Sequence, residues 1–212
     1  MSEALRHRLH EAAVRFAQRM AYRGAGTVEF LVDLERDAFH FLEMNARIQV
    51  EHPVTEAVTG IDLVAEQIAV AAGEGLRMGQ SQVTWRGHAI ECRVNAEDPA
   101  RDFQPSPGLA RAVRWPAGEG IRVDTHIEAG ARIPPFYDSL MAKVIAHGEE
   151  RDVALERMWR AIAATRIDGV ATNLALHSTV LANREFQQGG VDTGFLARLL
   201  ERAPMFVEAR LD

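Results

Sequence analysis

Leu42-Glu43-Met44-Asn45-Ala46-Arg47-Ile48-Gln49-Val50-Glu51 is the stretch from which the rest of the chain is read. Its odd positions are Glu43, Asn45, Arg47, Gln49 and Glu51, and its even positions are Leu42, Met44, Ala46, Ile48 and Val50. In an extended chain successive side chains point to opposite faces. One face of this run is then wholly apolar, and the other holds two carboxylates, two amides and a guanidinium. A half-exposed strand with a solvated face gives the same pattern, so the neighbouring residues must decide between the two.

Two β-like runs, residues 27–34 and 38–45, flank Glu35-Arg36-Asp37 and predict a hairpin. With those three residues as the loop, Leu34 pairs with Ala38 and Glu29 falls opposite Glu43. Opposed Cβ atoms lie roughly 5 Å apart, and like charges there are destabilising. A divalent cation would remove the conflict, because hard cations take carboxylate and amide oxygens, usually together with substrate phosphates. Asn45, two residues along the same face, offers a further oxygen. The alternative for Glu29 is an exposed strand glutamate. Farther along, Arg47 and Gln49 suit a small oxyanion, since a planar guanidinium matches a carboxylate-like group. Glu51 is then an acid/base candidate. His52-Pro53 reads as a structural turn element.

Upstream, Ser2 is placed to cap a helix whose apolar stripe is Leu5, Leu9, Ala13, Phe16 and Met20. Residues 22–26 end it. Downstream, a loop through Pro53 leads to a helix over residues 62–72. Residues 73–82 are small, polar and glycine-containing, which places a domain boundary near there and divides the chain into 1–78 and 79–212. Strands are expected at 87–95, 109–115, 121–127 and 140–146, with Pro134-Pro135 in a loop because proline cannot donate to a ladder. Helices are expected at 151–165, from Asn173 as cap, and at 194–202. The fold class is α+β.

The chain has 212 residues, 47% apolar and 25% charged, as in an ordinary globular protein. A net charge of −6 argues against nucleic acid as a partner. Lys143 is the only lysine, which leaves little for phosphate binding. Cys92 is the only cysteine and cannot form an internal disulfide, so a reducing, cytoplasmic setting is expected. No stretch approaches the roughly 18 apolar residues of a membrane span.

Two further clusters stand out. In residues 91–99, Ile90, Cys92 and Val94 share one face and Glu91, Arg93 and Asn95 the other. Cys92 reads as a small buried hydrophobe. Arg93, read as buried or half-buried, needs an acceptor, whether Glu91, another carboxylate or a substrate. In Pro134-Pro135-Phe136-Tyr137-Asp138-Ser139, a rigid loop carrying Tyr and Asp either orients a ligand or is an ordered turn.

Residues 24–30, 43–56, 91–99, 104–108 and 134–139 together resemble biotin carboxylase. Glu-Met-Asn alone would indicate only the broader ATP-grasp superfamily; the continuation Arg-Ile-Gln-Val-Glu-His-Pro is much more specific. The resemblance runs from Tyr22 to about Leu200. It implies the C-terminal part of an ATP-grasp lobe followed by the biotin carboxylase C-terminal domain, a mixed antiparallel sheet with helices. The implied activity is that of an ATP-dependent ligase, which activates bicarbonate as carboxyphosphate and carboxylates biotin on a separate carrier protein or domain. By the same resemblance, Glu29, Glu43 and Asn45 sit at Mg²⁺ or Mn²⁺ and the ATP phosphates, and Leu31 lies at the adenine side. Arg47, Gln49 and the Val50 backbone N–H bind bicarbonate, and Glu51 is its general base. Arg93 stabilises the enolate-like biotin, and Asp138 supports the biotin end.

The resemblance also implies a carboxyltransferase partner, a homodimer through the C-terminal domain and a further N-terminal biotin carboxylase portion. No glycine-rich phosphate loop or Met-Lys-Met attachment signal occurs here. The 212-residue chain alone is therefore expected to be inactive. The alternatives are a non-catalytic dimerisation or carrier-docking module, and a different ATP-grasp ligase.

Overall fold

A computed structural model of the protein describes residues 1–202, so the last residues of the expected second domain, 203–212, lie outside the described residues. The chain divides into two compact units, Met1–Thr84 and Trp85 onward.

In the first unit, Ser2 accepts a hydrogen bond from the Leu5 N–H at 3.1 Å and so caps α1 (Glu3–Arg19). This satisfies one of the orphan donors of the first turn. Leu5 and Leu9 are buried, and Phe16 packs on Phe41 with ring centroids 5.1 Å apart. Met20, expected to complete the stripe, is exposed instead because it already stands outside the helix as its C-cap. Arg8 reaches the hairpin turn, donating to the Asp37 carboxylate at 2.6 Å and to its carbonyl at 2.7 Å.

The hairpin forms from β1 (Thr27–Asp33) and β2 (Ala38–Asn45). Its turn has four residues, 34–37, not three. Asp33 Oδ1 accepts from the backbone N–H groups of Glu35 and Arg36, an Asx turn that removes Leu34 from the ladder. Asp33, not Leu34, therefore pairs with Ala38. The register then shifts between Glu29 and Phe30, where Leu42 is the extra residue of a bulge, and beyond it Glu29 stands opposite Glu43.

The extended run expected to reach Glu51 stops at Asn45. Leu42 and Ala46, placed by parity on the apolar face, are both exposed. The stop falls where its partner strand begins, since Asn45 pairs with Thr27, the first residue of β1. Pro53 lies in the first turn of α2 (His52–Thr59), where its missing N–H costs nothing. The N–H groups of His52 and Val54 bond the carbonyls of Gln49 and Glu51, which curls residues 49–51 into a turn. The expected loop through Pro53 is thus a helix, and that proline is its one sign in the sequence. Gly60, with φ +72°, closes the helix in the left-handed region. Asp62 then caps α3 (Leu63–Ala71), and the buried Glu56 accepts from the Leu63 N–H at 2.8 Å.

In the second unit, β3 (His88–Asn95) is followed by β4 (Glu97–Asp98), β5 (Gln104–Pro105), β6 (Gly108–Leu109), β7 (Ala112–Arg114), β8 (Ile121–Thr125), β9 (Arg132–Ile133) and β10 (Leu140–Gly148). Then come α4 (Arg151–Ala164), β11 (Arg166–Asp168), α5 (Leu174–Ala182), α6 (Arg184–Gln188) and α7 (Phe195–Arg202). The main sheet is antiparallel, in the order β3-β10-β8. One face carries Cys92, Val94, Val144 and Ala146, which cluster with Leu155, Met158, Ala161 and Ile162 of α4 to form the core. The opposite face carries the row Arg93, Lys143 and Asp124 across the three strands.

The single strand expected at 109–115 is two strands. β6 pairs with β9 and β7 pairs with β11, and the chain changes partner between Ala110, whose N–H bonds Ala131, and Arg111, whose N–H bonds Asp168. Gly169 makes the change possible. A Cβ there would meet the Leu109 carbonyl oxygen at 2.1 Å, and its φ is +106°. Both β11 and α6 escape a reading of the sequence because each is too short for a periodicity to register.

Two histidines make this unit sensitive to acid. His88 Nε2 accepts from the Arg151 guanidinium at 3.2 Å, which requires an unprotonated ring. Burial, and then the Arg151 charge, lower the His88 pKa. Burial also lowers that of His177, against the opposing effect of the Arg93 carbonyl it bonds. Both rings bind a proton less readily when folded than when unfolded. The stability they contribute is present above about pH 6.5 and is lost as pH falls below it. The melting temperature of the unit is expected to drop between about pH 7.5 and about pH 5, and His88→Gln to flatten part of that slope. A flat melting profile across this window would sink the assignment.

Candidate functional site

The root of the hairpin gathers the polar residues singled out by parity. Glu29 and Glu43 face each other, and the Asn45 amide lies between them, donating from Nδ2 to Glu29 Oε1 at 2.9 Å and to Glu43 Oε1 at 3.0 Å. Two opposed carboxylates thus already hold one partially positive group. Rotation of the carboxamide would exchange its nitrogen for its oxygen, since the two ends are isosteric. It would then aim a third oxygen at the same point. That donor set fits a hard divalent cation, with phosphates or water completing the shell. Among the described residues no group of three or more His, Cys, Asp or Glu side chains is arranged to hold a metal, so two carboxylates and an amide are what the hairpin offers.

Beyond the strand the row continues without its alternation. Arg47 donates to Gln49 Oε1 at 3.0 Å and to the Ile48 carbonyl at 3.1 Å, and its second nitrogen lies 3.5 Å from Asn45 Oδ1. Hydrogen bonding, not strand parity, keeps Asn45, Arg47 and Gln49 together. Val50 is half-buried in the turn. Glu51 occupies the N-cap position of α2, exposed, and its side chain does not cap the helix. His52 is structural: its Nδ1 bonds the Gln49 carbonyl at 2.8 Å. Leu31, 60% exposed, lies two residues from Glu29 on β1 and offers an apolar surface beside the carboxylates.

In the second unit, Arg93 is exposed on β3, not buried or half-buried as its apolar neighbours suggested. Alternation places Cys92 and Val94 in the core and turns Arg93 to the other face. Beside it, burial alone would raise the Asp124 carboxyl pKa. The Arg122 hydrogen bonds and the charges of Arg122 and Lys143 outweigh that and hold it low. Lys143 lies 3.6 Å from Asp124, so it serves this row and not a phosphate loop. Burial, aided by the Glu91 charge, pushes the Cys92 thiol up to about 12, which leaves it an inert core side chain.

Asp138 accepts from the Leu140 N–H at 2.7 Å, so it fixes the start of β10. The adjacent Phe136 and Tyr137 are both 83% exposed. This loop is tied to the end of β3 by residues of the two clusters that the sequence treats separately. Glu97 Oε1 accepts from the Ser139 hydroxyl and from Asn95 Nδ2, and the Ala96 N–H bonds the Ser139 carbonyl at 2.8 Å. Asn173 stands at the N-cap of α5 as expected, but its side chain makes no cap bond. It bonds β3 instead, through the Asn95 N–H at 2.9 Å and the Arg93 carbonyl at 3.0 Å. An asparagine before a helix reads as a cap, so no signal in the sequence separates the two roles.

Among the described residues no helix is long and apolar enough to cross a membrane. The family model described as carbamoyl-phosphate synthase L chain, ATP binding domain, matches residues 1–79. The chain is 50% identical over 195 residues to a biotin carboxylase of Nostoc sp., covering 92% of this chain and 43% of that protein. It is 49% identical over 196 residues to a pyruvate carboxylase subunit of Methanothermobacter thermautotrophicus, covering 92% and 40%. Among solved structures, it is similar to the biotin carboxylase domain dimer of Hydrogenobacter thermophilus 2-oxoglutarate carboxylase, in complex with MgADP, ADP and bicarbonate. The TM-score is 0.88 at 40% identity, over 94% of this chain and 45% of that one. The chain thus spans somewhat less than half the length of the relatives it matches. The model of the biotin carboxylase C-terminal domain family matches residues 91–198, half of the 212-residue chain, and by that match, with these relatives beside it, the chain belongs to the biotin carboxylase family.

Proposed function

We propose that the chain forms one part of a biotin carboxylase, an ATP-dependent ligase that makes a carbon–nitrogen bond. The observation that carries this reading is the hydrogen-bonded row of Glu29, Glu43, Asn45, Arg47 and Gln49, which leads on to Glu51. ATP and bicarbonate give ADP and carboxyphosphate; biotin N1′ then takes the carboxyl group, and phosphate leaves with the N1′ proton. Glu29, Glu43 and Asn45 would hold Mg²⁺ or Mn²⁺, which when bound offsets the charge of the ATP phosphates. Leu31 meets the adenine side of the nucleotide. Arg47, Gln49 and the Val50 N–H hold bicarbonate, and Glu51 removes its proton, making it a nucleophile for the terminal phosphorus. The Arg47 guanidinium offsets the added negative charge. Arg93 faces the biotin ureido oxygen, where charge develops as N1′ attacks, and Asp138 supports the biotin end. Biotin arrives on a carrier protein or domain, and a carboxyltransferase uses the product. The rest of the site comes from an N-terminal biotin carboxylase portion, and two copies pair through the second unit.

A chimera tests this reading. In it the chain replaces the matching stretch of the Nostoc sp. enzyme. Bicarbonate-dependent ATP cleavage, stimulated by free biotin, is expected of the chimera and not of the 212-residue chain alone. A folded chimera that cleaves no ATP would favour a non-catalytic dimerisation or docking module.

The metal assignment is testable on the chain itself. Glu43→Gln removes one of two opposed charges, so without metal it is expected to stabilise the chain by about 0.2–1 kcal/mol. The same change should weaken the rise in melting temperature that Mn²⁺ gives the parent chain. Equal Mn²⁺ stabilisation of both proteins would count against Glu43 as a ligand.

A further inference from the structure

Among the described residues β3 is the edge of its sheet, because the order β3-β10-β8 leaves one side of it without a strand partner. An edge presents a row of N–H and C=O groups that need other acceptors and donors. At the level of Arg93 this need is met by α5. Asn173 makes three bonds there: its backbone N–H donates to the Asn95 carbonyl at 3.3 Å, its Oδ1 accepts from the Asn95 N–H at 2.9 Å, and its Nδ2 donates to the Arg93 carbonyl at 3.0 Å. The carboxamide stands in for the peptide group of a missing strand. One turn on, His177 Nε2 donates to the same Arg93 carbonyl at 2.7 Å.

Two further facts show that this is more than a helix start. An N-cap asparagine ordinarily gives its oxygen to the first turn of its own helix, worth about 1 kcal/mol. Asn173 forgoes that bond, and it is only 7% exposed, so its side chain is committed to β3. On the other side of β3, the β10 register shifts between Leu140 and Ala142, opposite Asn95 and Val94. A bulge interrupts the ladder and bends the strand. The backbone that carries Arg93 is thus least well held by β10 next to where α5 holds it.

We infer that Asn173 and His177 are positioning residues that fix the Arg93 backbone, and with it the place from which the guanidinium meets biotin. This rests on the reading of Arg93 given above, and it adds to the site two side chains that touch no substrate. The contact is made to main chain, so the device acts on where Arg93 stands and not on its charge. An error of about 1 Å in such a group can cost as much as 100-fold in rate.

The test uses the chimera and three readouts: bicarbonate-dependent ATP cleavage without biotin, biotin-dependent turnover, and melting temperature. Asn173→Ala and His177→Phe are each expected to lower biotin-dependent kcat about tenfold, with biotin-free ATP cleavage within about twofold of the parent. His177→Gln keeps a donor and should recover most of the loss. His177 is only half-buried, so its variants carry the test if Asn173→Ala does not fold. The inference is overturned if both activities fall together in step with melting temperature, if biotin-dependent turnover is unchanged, or if His177→Gln is as impaired as His177→Phe. Arg93→Ala in the same chimera separates the two levels. If it abolishes biotin-dependent turnover while the Asn173 and His177 variants leave it intact, the positioning role alone fails. If Arg93→Ala leaves that turnover intact, the reading of Arg93 fails and the positioning role with it.

Discussion

Glu51→Gln in the chimera is expected to lower the rate of bicarbonate-dependent ATP cleavage by about 10²–10⁴-fold, the range over which a positioned general base acts. Glutamine keeps the shape and reach of the side chain and loses the negative charge and with it the ability to take a proton. Glu51 is exposed, so the fold is expected to survive the change. Glu51 contributes its backbone carbonyl to the turn that starts α2, and its side chain makes no cap. A surface change of this kind shifts stability by no more than about 0.5 kcal/mol. The loss should therefore fall on kcat, with little change in the KM for ATP, because the proposed function gives the nucleotide to other residues. Near-parental cleavage by the variant would remove Glu51 from the mechanism. A defect confined to ATP KM would move it to nucleotide binding.

Met158→Ala should produce the largest loss of stability. Met158 is fully buried on α4, against the face of the main sheet that carries Val144 and Ala146. Truncation removes apolar burial and leaves a cavity that a sheet and helix can only partly close, at a cost of about 2–5 kcal/mol. Met158→Leu keeps most of the volume and should cost less than about 1.5 kcal/mol. Urea unfolding of the two variants separates these values. A loss below about 1 kcal/mol for the alanine variant would mean that the core closes over the gap. The same sheet carries Arg93 on its opposite face, so loosening of α4 should reach that residue through β10.

The pattern of the sequence reaches the α+β fold and most of its longer elements, because a helix of 14 residues or a strand of eight repeats its periodicity enough to be seen. It fails where an element is short or where a side chain has two uses. α2 is hidden by His52-Pro53, which marks a turn and a helix start equally well. The strand expected at 109–115 hides a change of partner that depends on a distant glycine, Gly169. The pairing of Glu29 with Glu43 follows from the sequence only through two errors that cancel. The expected loop is one residue too short, and the bulge at Leu42, invisible to alternation, restores the register. Parity groups Arg47 with Gln49, yet the strand ends before them, and a hydrogen bond brings them together instead.

That bulge has a consequence for how the hairpin tolerates change in length. Leu42 has no partner on β1: Phe41 answers Phe30, and Glu43 answers Glu29. A chain without Leu42 could run the same pairs in unbroken sequence, with the same turn at its tip and the same two carboxylates at its root. A residue lost from β2 above Leu42 can be made up by Leu42 entering the ladder, so such a deletion need not travel down the strands to disturb the acidic pair.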